Sequence, residues 1–177
     1  NAATGIGDSI AIETATTTIT ADTTNGKIDI DNTLATPTTV STITTGTGDI
    51  LFSQLGGALT VTTATTTSGA IGIDTIGANM TLISVTAGGD AKNITLTTTT
   101  SGNISVGAIT ATGDTITLTA AGAITDNNGV TNNLSSGIAN LTAATGIDLD
   151  TTIDSLTANV TGTGAIDIDE LNAITLI

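Results

Sequence analysis

An aliphatic residue, a second residue of any kind and then another apolar one recur down the whole chain at a nearly constant step. The pattern reads Ile10-Ala11-Ile12, Ile28-Asp29-Ile30, Ile50-Leu51-Phe52 and Ile71-Gly72-Ile73, and continues as Ile104-Ser105-Val106, Ile147-Asp148-Leu149 and Ile166-Asp167-Ile168, with a weaker Ile124-Thr125-Asp126 between. Subtracting successive first positions gives steps of 18, 22, 21, 33, 20, 23 and 19 residues. Six of these seven fall in one narrow band, and a fixed period of this size is the signature of a stacked repeat architecture. The outlying step runs from Ile71 to Ile104, and residues 86–93, which contain Gly88-Gly89, are expected to loop out of it.

A second strand tracks the first, in Leu59-Thr60-Val61, Ile94-Thr95-Leu96 and Ile116-Thr117-Leu118. Ser68-Gly69 and Ser101-Gly102 then lead back into the first motif. Each repeat therefore holds two or three short strands separated by Gly, Asn, Asp or Ser turns. Period-two alternation puts Ile, Leu and Val on one face and Thr, Asp or Ser on the other. A unit this short cannot bury its inner face alone and must stack on its neighbours. Equivalent strands would then lie parallel at about 4.8 Å, so that about eight coils make a rod on the order of 40 Å long. Parallel crossovers wind right-handed by default. The expected fold is thus all-β, a right-handed parallel β-helix (β-solenoid) of about eight coils of roughly 20 residues. Residues 1–177 would form one segment of it, within a longer repetitive shaft. An antiparallel immunoglobulin-like sandwich also has short alternating strands, but it does not require the same motif at a near-constant step.

Composition agrees with a narrow, ladder-filled interior. Phe52 is the sole aromatic residue, so the rings that usually anchor cores are missing. Hydrophobic residues still make up 38%, too many for disorder by lack of apolar surface. The 45 threonines suit exposed strand positions, and the 21 glycines suit turns. Formal charge is −14, with Lys27 and Lys92 the only basic side chains, so no nucleic-acid partner is expected. No apolar run reaches the length of a membrane span, and no signal peptide is visible. A cysteine-free chain of this kind is compatible with secretion without disulfides.

Two stretches carry a family resemblance. Asp114-Thr115-Ile116-Thr117-Leu118-Thr119-Ala120-Ala121-Gly122-Ala123-Ile124 and Thr86-Ala87-Gly88-Gly89-Asp90-Ala91-Lys92-Asn93-Ile94-Thr95-Leu96-Thr97 resemble repeats of filamentous-haemagglutinin-like exoproteins. The resemblance implies a piece of a very long bacterial surface adhesin, exported by two-partner secretion, with a right-handed parallel β-helix shaft. It also implies a secreted, cell-surface or extracellular location.

Little in the chain can carry catalysis. His, Cys, Tyr and Arg are absent, which removes the usual nucleophile–base pairs and most oxyanion or phosphate clamps. Lys27 beside Asp29 and Asp31 is the sole local echo of the carboxylates, Ca²⁺ and basic residue with which some β-helix enzymes cleave acidic polysaccharides, and solvated turn residues are the expectation there. No enzyme activity and no cofactor are expected. Asp148 and Asp150 recur one 19-residue step later as Asp167 and Asp169. Stacked outward, these four carboxylates would repel, and Ca²⁺ would relieve them, but solvated carboxylates that spread apart are the expected outcome. Threonine runs (Thr16, Thr17 and Thr18; Thr60, Thr62 and Thr63; Thr65, Thr66 and Thr67; Thr95 and Thr97 to Thr100; Thr115, Thr117 and Thr119) could form outward ladders of the kind that bind ice. Thr is equally a good outward residue on any exposed strand. Six Asn-x-Ser/Thr sequons begin at Asn79, Asn93, Asn103, Asn133, Asn140 and Asn159, and the sequence singles out none of them.

Taken together, the residues point to a structural shaft segment of a secreted adhesin or extracellular filament, with a ligand-binding face for ice or another surface as the alternative. Ile28, Ile30, Ile71, Ile73, Ile147, Leu149, Ile166 and Ile168 are expected to stack inward, with Leu149 beneath Ile168. Both ends read as ordinary coil strands without a cap, so the expected partners are flanking repeats or further copies stacked end to end. A host or neighbouring cell surface would be met by other parts of the parent protein.

Overall fold

The computed structural model describes residues 1–176, which contain strands and turns and no helix. In chain order the strands are β1 (Ile12–Thr14), β2 (Thr18–Thr23), β3 (Ile28–Asn32), β4 (Thr38–Thr45), β5 (Ile50–Leu55), β6 (Leu59–Thr66), β7 (Ile71–Ile76) and β8 (Met80–Ala87). They continue as β9 (Ile94–Thr99), β10 (Ile104–Ala120), β11 (Ile124–Asp126), β12 (Leu134–Ala143), β13 (Ile147–Val160), β14 (Ile166–Glu170) and β15 (Thr175–Leu176). Every pairing between them is parallel, and each joins one coil to the next. The chain is a parallel β-solenoid.

Each coil has three faces, for a reason written in the longer strands. In β6, Leu59 and Val61 point inward, Thr62 and Thr63 both point outward, and Ala64 and Thr66 point inward again. Two consecutive outward residues break the period of two and turn the strand through a corner. Ser41 and Thr42 do the same in β4, and Ile83 and Ser84 in β8. Face 1 carries the ladder Ile6, Ile28, Ile50, Ile71, Ile94, Ile116, Ala139, Leu156 and Leu176, which spans about eight coils. Face 2 carries Thr38, Leu59, Met80, Ile104, Ile124, Ile147 and Ile166. Face 3 carries Ala21, Ile43, Ala64, Val85, Ile109, Leu134, Thr151 and Glu170. The three ladders enclose one continuous aliphatic core from Ile19 to Leu156.

This topology reassigns the 33-residue step. On face 1 the coil above Ile71 begins at Ile94, whereas Ile104 starts face 2 of that same coil and sits over Met80. One coil of 23 residues plus 10 residues to the next face makes 33. Accordingly, Leu59 belongs with Ile104, while Ile94 and Ile116 continue the ladder of Ile28, Ile50 and Ile71. Faces 1 and 2 share the same inward aliphatic spacing, so alternation alone does not tell them apart. Residues 86–93 are only slightly enlarged. Thr86 and Ala87 complete β8, and the turn at 88–93 is two residues longer than those at 24–27, 46–49 and 67–70.

Ile28, Ile30, Ile71, Ile73, Ile147 and Leu149 are all buried, and Leu149 lies opposite Ile168 in register. Ile166 and Ile168 depart from the expectation. Ile166 is 47% exposed and Ile168 is half-buried, because the coil carrying β14 has a neighbour on one side only among the described residues. At the other end the partner of Ile28 is Ile6 rather than Ile10, which is 83% exposed, and Ile12 pairs with Ile30.

Threonine is not confined to the outside. Thr23, Thr45 and Thr66 are buried at the corner between faces 3 and 1, where their hydroxyls close the turn. Thr23 Oγ1 and Thr45 Oγ1 donate to the Gly26 carbonyl at 3.0 and 2.9 Å, and Thr66 Oγ1 donates to that of Gly48 at 3.0 Å. A Cβ on Gly48 would collide with the backbone of Gly26, and one on Gly69 with the Gly48 carbonyl, so the stacked turns require glycine here. The corner between faces 1 and 2 holds a second polar ladder of Asn32, Gln54, Thr75 and Thr98, all buried. Asn32 Nδ2 donates to Gln54 Oε1 at 2.8 Å, Gln54 Nε2 to the Leu34 carbonyl at 2.6 Å, and Thr98 Oγ1 to the Gly102 carbonyl at 2.8 Å. Gln54 and Thr98 thereby donate to turn carbonyls, as the threonines of the other corner do.

Candidate functional site

The acidic ladder forms as its spacing suggests. Asp148 pairs in register with Asp167, and Asp150 with Asp169, on the outer side of face 2. Asp148, Asp167 and Asp169 are exposed and Asp150 is half-buried. Partial burial, then the charges of Asp169, Asp126 and Asp148, push the Asp150 carboxyl above its ordinary value. Among the described residues, no group of three or more acidic side chains is disposed to hold a metal ion.

A second acidic group lies on face 1, at the opposite end of the solenoid. Outward positions there form the column Asp31, Ser53, Asp74 and Thr97, beside the column Asp29, Leu51, Gly72 and Thr95. Gly72 contributes no side chain to its column, which leaves a shallow, solvent-open notch between Leu51 and Thr95. Ser53 Oγ lies 2.8 Å from both carboxylate oxygens of Asp74 and donates into that pair. Lys27 Nζ pairs with Asp29 Oδ2 at 2.9 Å, and this bond holds the Lys27 ammonium above its ordinary pKa. Asp31 makes no such bond with Lys27. Its pKa is raised, first by desolvation and then by Asp29, Asp74 and Glu13. A raised carboxyl pKa means that its contribution to stability is present at low pH and is lost as pH rises through the folded value. Lys27, Asp29 and Asp31 are thus near one another, but the lysine is committed to one carboxylate and the notch excludes no water.

The threonine runs do not assemble into one array. Thr60 falls on face 2, Thr63 and Thr65 on face 3, and Thr95, Thr97, Thr117 and Thr119 on face 1. Face 3 is the most regular. Thr44, Thr65, Thr86, Thr110, Ser135 and Thr152 form one unbroken outward column of hydroxyls across six coils, with Ser84 over Thr63 beside it. No charged side chain interrupts that column above Asp22, to which Thr44 Oγ1 donates at 2.7 Å.

No protein-family model, curated protein or solved structure matches the chain. Its surfaces are therefore read from their own geometry.

Sequence reasoning missed a set of axial clamps. Asp49, Asn79, Asn93 and Asn103 each precede the first inward aliphatic of a strand, and each side-chain oxygen accepts a backbone N–H from the coil above. The donors are Ala70, Asn103, Thr115 and Ala123, at 2.8, 2.9, 3.1 and 2.8 Å. The signal was present as an Asp or Asn immediately before Ile50, Met80, Ile94 and Ile104. Asn133 has a different role. It is fully buried, and its amide nitrogen reaches the Val106 and Gly107 carbonyls, Asp126 Oδ1 and Asn128 Oδ1, while its oxygen accepts the Asp150 N–H at 2.8 Å.

Proposed function

We propose that this chain is a structural shaft segment of a secreted bacterial surface adhesin or extracellular filament, acting as a rigid spacer or fibre-forming unit without catalytic or cofactor chemistry. The observation that carries the reading is the face 1 ladder, which keeps register from Ile6 to Leu176. Such an element works by length and stiffness, because each coil is fixed by its neighbours. The end coils support the same reading. Ile166, Leu171 and Leu176 are 47%, 83% and 76% exposed, and the outer edges of β14 and β15 present backbone groups with no strand partner among the described residues. A further coil, from flanking chain or from another copy, would cover them. Size-exclusion chromatography with light scattering of the isolated 1–177 chain tests this: concentration-dependent oligomers or filaments are expected, and a clean monomer with ordered end coils would sink it.

The uninterrupted, uncharged hydroxyl column on face 3 favours a second reading, a face that binds ice or another ordered surface. The two readings separate by thermal hysteresis. The shaft reading expects none, and a freezing gap abolished by Thr65→Tyr would transfer the function to face 3.

A further inference from the structure

We propose that Asn25 is a site of self-modification, where the chain converts its own asparagine to aspartate and isoaspartate with water as the sole co-reactant. The reaction begins when the next backbone nitrogen attacks the side-chain amide, and it is fastest where glycine follows, because no side chain hinders the approach. The chain has two such pairs, Asn25-Gly26 and Asn128-Gly129. The fold frees the first and restrains the second.

Asn25 is exposed in the turn at 24–27, between β2 and β3. Its amide nitrogen, the leaving group, donates no hydrogen bond among the described residues. The Gly26 N–H, the nucleophile, is likewise without an acceptor among them. Thr47, one coil above, donates its hydroxyl to Asn25 Oδ1 at 3.2 Å. That donor sits at the oxygen on which negative charge develops in the tetrahedral intermediate, so it assists the attack. Asn128 has none of this freedom. Its Nδ2 donates to the Gly107 carbonyl at 2.9 Å, its Oδ1 accepts from Asn133 Nδ2 at 2.9 Å, and its own N–H is bound to Asp126 Oδ1 at 2.8 Å. Turning its side chain onto Gly129 would break the first two of these bonds, one of them to the fully buried Asn133.

In the first step the Gly26 nitrogen bonds to Asn25 Cγ and the Cγ–Nδ2 bond breaks. The Gly26 proton passes through solvent to the departing nitrogen, which leaves as ammonia, and a five-membered succinimide remains. Water then opens the ring at either carbonyl, giving aspartate from one side and isoaspartate from the other. Each product adds one carboxylate to a chain whose formal charge is already −14. Isoaspartate also lengthens by one carbon a turn that is held on both sides. The Gly26 carbonyl accepts from Thr23 and Thr45, and a Cβ on Gly26 would strike the Thr4 carbonyl of the coil below. The first coil hangs on this turn through the Thr24 N–H to the Ala2 carbonyl at 3.1 Å and the Ile6 N–H to the Lys27 carbonyl at 2.9 Å, and the longer backbone loosens both.

The test incubates the folded 1–177 chain in mildly alkaline buffer and follows both asparagines by peptide mapping, with an isoaspartate methyltransferase to mark isoaspartate. The same chain in denaturant, where the two pairs react alike, sets the reference. In the folded chain Asn25 is expected to react at least about tenfold faster than Asn128, the factor that breaking two hydrogen bonds imposes on the slower site. Thr47 is exposed, so its variants keep the fold. Thr47→Val should slow Asn25 several-fold, Thr47→Ser should restore it, and neither should change Asn128. Hydrogen exchange at Ile6 and Thr24 should quicken in the isoaspartate fraction. Equal rates at the two asparagines of the folded chain would overturn the proposal. So would an Asn25 rate indifferent to Thr47→Val, or unaltered exchange in the isoaspartate fraction.

Discussion

Leu96→Asp is expected to abolish cooperative folding of the middle coils at neutral pH. Leu96 is 0% exposed and lies in register between Ile73 below and Leu118 above, so the new carboxylate has no water and no polar partner. A buried unpaired charge of this kind costs more than about 4 kcal/mol, a large part of the stability of any domain of this size. Burial raises the pKa of such a carboxyl, so the defect should shrink as pH falls below that raised value and the group becomes neutral. Urea unfolding followed by circular dichroism at neutral and acidic pH measures both effects. Ile168→Asp provides the contrast. Its side chain is half-buried in an end coil, so the loss there should be much smaller. Equal losses at the two positions would contradict the assignment of inside and end.

Asn133→Ala is the second large effect expected. The substitution leaves the Asp150 N–H without its partner, and it leaves the Val106 and Gly107 carbonyls with the Asn127 N–H and the Asn128 amide as their remaining donors. Buried groups orphaned in this way cost about 1–3 kcal/mol each when unrelieved, and a total of about 2–4 kcal/mol is expected once neighbouring bonds adjust. Asp126 adds a pH signature. The Asn128 backbone N–H and then the Asn133 amide hold its carboxyl below the ordinary value. A depressed carboxylate stabilises the fold above its unfolded pKa, and that contribution is lost as pH falls through the folded value. The gap in urea midpoint between Asn133→Ala and the unsubstituted chain should therefore be widest near neutrality and narrow in acid. Asn140→Ala, at a half-buried strand position, should stay within about 0.5 kcal/mol.

The period of the coils and the inward residues of the middle coils were legible because an aliphatic ladder needs only alternation and a constant step. The same logic placed Asp148 against Asp167 and Asp150 against Asp169. Three features were hidden. Ile94 and Ile104 could not be assigned to different faces, since both head the same inward spacing. The corners of β4, β6 and β8 lay in pairs of outward residues such as Thr62-Thr63, which look like more of the same polar surface. Thr23, Thr45, Thr66, Asn32, Gln54 and Asn133 were read as outward or left unassigned because polarity was taken as exposure, whereas a tight corner has carbonyls to satisfy and uses polar side chains inside to do so. The Thr-x-x-Gly spacing at Thr23, Thr45 and Thr66 was the available clue. The acidic and hydroxyl columns were legible residue by residue, but their distribution over three separate faces follows from the corners.

The parallel coil arrangement also governs how the molecule would carry load. Its inter-coil hydrogen bonds run along the rod, while the covalent chain runs around it. Tension applied at the two termini therefore does not reach all coils as a single covalent cable. It bears first on the outermost coil, whose detachment frees one turn of about 21 residues and passes the same force to the next. With strand residues rising about 3.3 Å each, one detached turn lengthens the tether by roughly 70 Å, far more than the single coil spacing it gives up. A solenoid built this way yields in quanta of one coil and absorbs work at each, rather than failing all at once.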